Sequence, residues 1–224
     1  VAFLDFDNDG DPDLLFVNST VWPWAPVTDP LRPTAALYLN QGDGKFRNVT
    51  AGSGLDVPIY GMGAVVGDYD NDGWVDVLIT SVGGNRLFRN LGDGRFLEVT
   101  QSAGMGGDPD DWSTYAAGLD YDNDSDVDIF KTNGALKHLY GQEDQLFQNE
   151  GNGKFRDISL EIGEYFHREL VGRGACIGDY ENDGDLDIFI MNLNDYSVFL
   201  RNNKGNTNNW LMIKLTGTKS NSDG

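Results

Sequence analysis

The feature that most constrains this chain is a nine-residue acidic cluster, "DFDNDGDPD" at 5–13, which returns three more times. The later copies are "DYDNDGWVD" at 68–76, "DYDNDSDVD" at 120–128 and "DYENDGDLD" at 179–187. The clusters hold five, four, five and five acids, or 19 of the chain's 36 acidic residues. Like charges this close repel, and each cluster needs something to compensate them. The copies start 63, 52 and 59 residues apart. A second motif follows each: "LYLNQGDGKFRNVT" from Leu37, "LFRNLGDGRFLEVT" from Leu87, "LFQNEGNGKFRDIS" from Leu146, and a degraded "FLRNNKGNTNNW" from Phe199. A unit of about 55 residues therefore repeats four times.

The second unit shows the internal plan. "GMGAVVGD" is apolar and small and leads into the acidic loop, and "VDVLIT" alternates and is β-branched, as a strand should be. "RLFRN" and "RFLEVT" flank "LGDG", a hairpin turn with glycine available for positive φ. No helical period stands out anywhere. Four short strands per unit predict an all-β fold, a β-propeller of four-stranded blades. Gly61, Gly63, Ala64, Ala116, Ala117, Gly118, Gly172, Gly174 and Ala175 put small residues on the first strand of each unit, where blades converge on an axis. A β-sandwich is the weaker alternative, because it would prefer bulkier inward residues there.

The spacing Asp-x-Asp-x-Asp-Gly-x-x-Asp places oxygens on one side of a tightly curled loop. Ca²⁺ takes six to eight oxygens at about 2.3–2.6 Å, whereas Mg²⁺ demands a tighter octahedron and keeps its waters. The candidate ligands are position 1 (Asp5, Asp68, Asp120, Asp179), position 3 (Asp7, Asp70, Asp122, Glu181) and position 5 (Asp9, Asp72, Asp124, Asp183). Position 9 (Asp13, Asp76, Asp128, Asp187) closes the cage, and position 7 (Asp11, Trp74, Asp126, Asp185) adds its backbone carbonyl. An EF-hand is excluded, since position 12 would need Glu and is Phe16, Ile79, Lys131 and Ile190. The bland alternative is that "DNDG" only makes turns, and fourfold recurrence of the same carboxylate frame argues against it. Ser125 replaces the glycine of the other copies (Gly10, Gly73, Gly184); at positive φ that costs about 1 kcal/mol, so the third loop is expected to be the weakest. Up to four ions are implied, which would move the formal charge from −20 to −12.

Composition narrows the class. At 39% hydrophobic and 12% aromatic the chain is globular, and a net charge of −20 argues against nucleic acid as a partner. No apolar run approaches the roughly 20 residues that span a bilayer, so no membrane insertion is expected. The chain has no initiator Met, signal peptide or anchor and reads as mature, trimmed or excerpted. The single cysteine, Cys176, excludes an internal disulfide framework and is expected to be buried and inert.

These motifs resemble the FG-GAP/VCBS repeats also found in integrin α-subunit propellers, and the resemblance covers nearly the whole chain. "NNWLMIKLTGTKSNSDG" at 208–224 is similar to the opening of an ASPIC/UnbV-type domain, which follows such repeats in cartilage-acidic-protein-like secreted proteins. The expected organisation is repeats over 1–207 (about 1–50, 51–100, 101–159 and 160–207) and the start of that domain at 208–224. Propellers of this family usually have seven blades, so the resemblance implies part of a larger propeller. It also implies a secreted, extracellular or periplasmic calcium-binding scaffold, and it implies no reaction.

In such blades the acidic loops and "GDG" turns share one face and the long insertions fall on the other. The insertions bring Trp22, Trp24, Trp112, Tyr140, Phe166, His167 and Arg168 to that second face, suited to a protein or carbohydrate ligand. The alternative is that these aromatics pack their own loops. Only His138 and His167 are histidines, and there is no GxSxG elbow, phosphate loop or HExxH pair. A recognition scaffold is therefore the main reading, with a structural spacer or a calcium-dependent lyase or hydrolase as alternatives. If the ions are structural, a chelator lowers the melting temperature by several degrees; an unchanged melting curve removes that role.

Overall fold

The computed structural model describes residues 1–26, 32–135 and 140–203, and the 208–224 segment and His138 lie outside them. Sheet I comprises β1 (Ala2–Leu4), β2 (Asp13–Phe16), β3 (Ala36–Asn40) and β4 (Phe46–Asn48). Sheet II is β5 (Gly61–Gly67), β6 (Asp76–Ser81), β7 (Arg86–Asn90) and β8 (Phe96–Glu98). Sheet III is β9 (Ser113–Leu119), β10 (Asp128–Asn133), β12 (Gln145–Asn149) and β13 (Phe155–Asp157). Sheet IV has three strands among the described residues, β15 (Gly172–Gly178), β16 (Asp187–Asn192) and β17 (Val198–Leu200). The short β11 (Gln142–Glu143) and β14 (Glu169–Leu170) pair with each other beside them. All pairings are antiparallel, with sequence neighbours adjacent in each main sheet.

The sheets follow one another as blades. Their first strands pack in series, β1 on β5, β5 on β9 and β9 on β15, which sets a propeller-like arrangement apart from a two-layer sandwich. Small residues make this approach possible. A Cβ on Gly61 would lie 2.3 Å from Val17 Cγ1. Alternation within the second strands then splits their side chains between two junctions. Val77 and Ile79 of β6 pack with Leu4, Leu15 and Leu37 of sheet I, whereas Leu78 packs with Ile129 and Phe147 of sheet III. Both β6 and β10 are buried along their whole length. Phe130 and Leu146 complete the third junction against Ile188 and Ile190.

The outer faces of the end sheets are bare of such cover. Phe3, Phe16 and Phe46 are exposed on sheet I, and Phe189, Met191 and Phe199 on sheet IV. Cys176 lies on β15 and is exposed, contrary to the expectation of a buried thiol. Ala175 and Ile177 pack inward on the core shared with sheet III, and alternation turns Cys176 to the outer side, beyond which no sheet is described. A second departure is helical: α1 (Ser159–Ile162) and a 3₁₀ turn (Glu164–His167) form in the connection before β14. Four residues are too few to leave a period in the sequence, and Phe166 anchors the turn by burial in the core.

The second and third repeats are locked to the connections before them by backbone contact. Phe96 N–H donates to Ser53 O at 2.7 Å and Phe155 N–H to Ala103 O at 2.8 Å. At Gly54, φ is +86° and a Cβ would lie 2.1 Å from Phe96 O. Gly54→Ala combines a strained backbone with an unavoidable clash and should destabilise the fold by about 3 kcal/mol in a denaturant titration; an unchanged midpoint would contradict this packing.

Candidate metal centres and the long-loop face

Each acidic loop joins the first two strands of its sheet and is folded by its own carboxylates. At position 1, Asp5 accepts the N–H groups of Asp9 (3.1 Å) and Gly10 (2.9 Å). Asp68, Asp120 and Asp179 repeat this with Asp72 and Gly73, Asp124 and Ser125, and Asp183 and Gly184. Position 5 accepts the N–H two residues on, through Oδ1 of Asp9, Asp72, Asp124 and Asp183. The asparagine at position 4 is left-handed in every copy (Asn8, Asn71, Asn123 and Asn182, φ 56–58°). Position 6 is also left-handed, at Gly10, Gly73, Gly184 and the non-glycine Ser125 (φ 74°).

Position 9 is a staple. Asp13 is fully buried and accepts from Phe6 N–H (3.1 Å) and Asn40 N–H (2.7 Å), tying the loop to the third strand of its sheet. Asp76, Asp128 and Asp187 do the same with Tyr69 and Asn90, Tyr121 and Asn149, and Tyr180 and Asn202. Burial raises the carboxyls of Asp76 and Asp128 to about 7 and that of Asp13 in the same direction, against the backbone donors that favour the anion.

Position 3 has the opposite character. Asp7 Oδ1, Asp70 Oδ1 and Asp122 Oδ1 are buried and accept no hydrogen bond, whereas Glu181 Oε1 of the fourth loop lies against Arg201 Nε. Desolvation raises the carboxyls of Asp7, Asp70 and Asp122. A buried anionic oxygen without a donor is unfavourable by itself, and it recurs at the same position in the first three loops. In the first three loops, oxygens from positions 1, 3 and 9 all lie within 4.8 Å of one another. Two oxygens each about 2.4 Å from one ion can be no farther apart than about 4.8 Å. This all-oxygen, anionic donor set fits a hard dication such as Ca²⁺. At position 7 the side chains turn away, Asp126 accepting from Asn71 Nδ2 (2.6 Å) and Asp185 from Asn123 Nδ2 (3.1 Å) of the preceding repeat.

The repeats are also latched together. Asn90 Nδ2 donates to Phe6 O (2.8 Å), Asn149 Nδ2 to Tyr69 O (2.7 Å) and Asn202 Nδ2 to Tyr121 O (2.7 Å). One asparagine at the end of a third strand thus holds the preceding repeat's acidic loop. Sequence reading missed both asparagine positions as functional, although "N" in "DNDG" and in "RNLGDG" recurs at fixed places.

On the opposite side the structure gathers Trp22, Trp24 and Trp112 and adds Tyr60. Trp22 stacks on Tyr60 (4.3 Å between ring centroids, 16°) and on Trp24 (5.3 Å, 18°), with Trp112 at 5.4 and 6.0 Å from the two indoles. Trp24 is 65% exposed and ends the stack. Tyr140, His167 and Arg168 are exposed on the connections of the third and fourth units. Phe166 is not on this face: it is buried against Phe130. Lys131 is buried as well, where the other repeats carry Phe16, Ile79 and Ile190, and pairs with Asp111 at 3.1 Å.

The FG-GAP-like repeat model matches residues 5–79 and 68–131, more than half of the chain. The chain belongs to the FG-GAP-like repeat family. Among curated proteins, Cartilage acidic protein 1 of Mus musculus is 30% identical over 194 residues and that of Homo sapiens 30% over 193. Each alignment covers 79% of this chain and 28% of the relative, so the chain spans less than a third of the length of these curated relatives. Among solved structures, an Agrocybe aegerita lectin recognising non-reducing terminal N-acetylglucosamine aligns with TM-score 0.47 and 17% identity, over 84% of this chain and 45% of that one.

Staple and ligand roles within one FG-GAP-like loop are separable. Asp13→Asn brings an amide NH₂ against a backbone donor and should destabilise the protein by about 2–3 kcal/mol even in chelator, besides weakening the calcium increment of the first loop. Asp7→Asn should leave metal-free stability within about 1 kcal/mol while removing the calcium increment of the first loop. Equal effects of the two, read by denaturation with calcium and with chelator, would contradict the division.

Proposed function

We propose that this chain is a calcium-binding β-propeller scaffold acting by recognition rather than by catalysis. The observation that carries the reading is the buried, donorless oxygen at position 3 of the first three loops, flanked in each by carboxylates at cation distance. Positions 1, 3 and 9 of each loop, with position 5 and the carbonyl of position 7, would hold up to four Ca²⁺. Bound calcium would supply the positive charge that lets these carboxylates stay ionised side by side. Loops built this way suit a compartment where calcium is abundant, which supports a secreted, extracellular or periplasmic setting. Among the described residues no helix is long and apolar enough to cross a membrane. The exposed apolar outer faces of sheets I and IV support a longer propeller in which a further sheet of the same kind covers each.

A protein or carbohydrate ligand would dock on the long-loop side, where Trp24 offers an exposed indole backed by Trp22, Tyr60 and Trp112. Ranked stacking of this kind holds the platform rigid, which favours recognition by limiting the entropy lost on binding. Calorimetric titration with calcium should show binding at more than one site per chain; heat indistinguishable from buffer would overturn the scaffold reading. Trp24→Ala should melt within a few degrees of the parent and lose signal on a glycan array and a purified-protein panel. Unchanged binding of every ligand found would remove the indole stack as the recognition surface.

A further inference from the structure

The four loops differ at one residue that no loop motif contains. At or just after the third strand of each sheet, the residue before the asparagine that donates to position 9 is Leu39, Arg89, Gln148 or Arg201. Arg89, Gln148 and Arg201 meet the acidic loops of their own repeats, whereas Leu39 packs on the apolar core. Arg89 Nε lies 2.6 Å from Asp70 Oδ2, a charge contact without hydrogen-bond alignment, and Arg89 donates through a terminal nitrogen to Asp72 Oδ2 at 2.7 Å. Arg201 packs Nε against Glu181 Oε1 and approaches Asp183 Oδ2 at 3.8 Å. Gln148 gives Asp122 Oδ2 only a neutral amide, at 2.6 Å. Leu39 carries no donor at all.

We propose that Arg89 and Arg201 are tethered counter-ions that compete with calcium, so that the first and third loops load at lower calcium than the second and fourth. The proposal rests on the calcium reading above and deepens it. Position 5 has one oxygen engaged by backbone, Asp72 Oδ1 with Trp74 N–H, so the guanidinium takes the oxygen left for a cation. Counting formal charge over each nine-residue loop and its strand partner gives −5, −3, −5 and −4 in repeat order. A dication entering the second loop must displace a bound cation from a site that is already the least negative of the four. In the first loop it meets no competitor.

This ordering differs from the one based on Ser125 alone. Ser125 holds φ 74° in a loop whose internal hydrogen bonds match those of the other three. Its strain is therefore present whether or not an ion is bound. It weakens folding rather than ion affinity, because a term common to both states cancels from the binding equilibrium.

Trp74 lies within the second loop, while Trp22, Trp24 and Trp112 stack on the opposite side. Terbium(III) luminescence sensitised through indole, displaced by calcium and lost in Trp74→Phe, therefore reads the second loop. Arg89→Leu should tighten calcium at that loop roughly tenfold at low ionic strength, with Arg89→Lys close to the parent. In chelator, Arg89→Leu should melt below the parent because the loop loses its counter-ion. Leu39→Arg, made independently, should reduce the number of high-affinity calcium ions seen by calorimetry. Calcium displacement that agrees between parent and Arg89→Leu within about twofold, together with an unaltered high-affinity count in Leu39→Arg, overturns the proposal. Absence of both terbium luminescence and calcium heat in the parent overturns the calcium reading beneath it.

Discussion

Carboxylates crowded into a nine-residue loop repel one another, and the fold depends on how that repulsion is contained. Each loop spreads its acids over distinct tasks. Position 1 holds the loop's turn through two backbone N–H groups, and position 9 is buried to staple the loop to the third strand. These donors satisfy two carboxylates with protein alone. Position 3 is the exception, with a buried oxygen facing no donor. A divalent ion would resolve that residue of unfavourable charge, and in the first three loops the geometry brings carboxylate oxygens within reach of one.

The same loops carry the architecture from repeat to repeat. The asparagine latches join each of the first three acidic loops to the sheet after it, as in the 2.8 Å bond from Asn90 to Phe6 O. Loop order and blade packing are consequently coupled. An ion that stabilises one loop stabilises the carbonyl that the next sheet grips, and the aromatic side chain at position 2 sits in the same junction. Phe6 and Tyr69 are buried there, whereas Tyr180, at the end of the series, is 78% exposed. That contrast is a direct signature of an uncovered sheet.

The repeat, the strands and the acidic frame were legible in the sequence because their determinants are local: spacing within nine residues, alternation over five, glycine at a turn. Ser125 illustrates this, since its left-handed backbone followed from alignment with three glycines. What was not legible depended on residues brought together from afar. Asn90 and Phe6 are 84 positions apart, and nothing around Arg89 signals that its guanidinium returns to Asp70 and Asp72. Tyr60 joins the tryptophans only because β5 starts beside the insertion after β2. Phe166 looks like a loop aromatic in sequence, yet the core between sheets III and IV takes it. Cys176 failed for the converse reason: an apolar strand was read as buried, and its outer side has no described neighbour.

The central claim is that divalent cations, not hydrogen bonds alone, balance the acidic loops. The most direct measurement is anomalous scattering from crystals of the protein grown with calcium. The account requires peaks among positions 1, 3 and 9, with the position 3 oxygen coordinated at about 2.3–2.6 Å. Well-ordered loops with water or no density at those positions, at millimolar calcium, would contradict it.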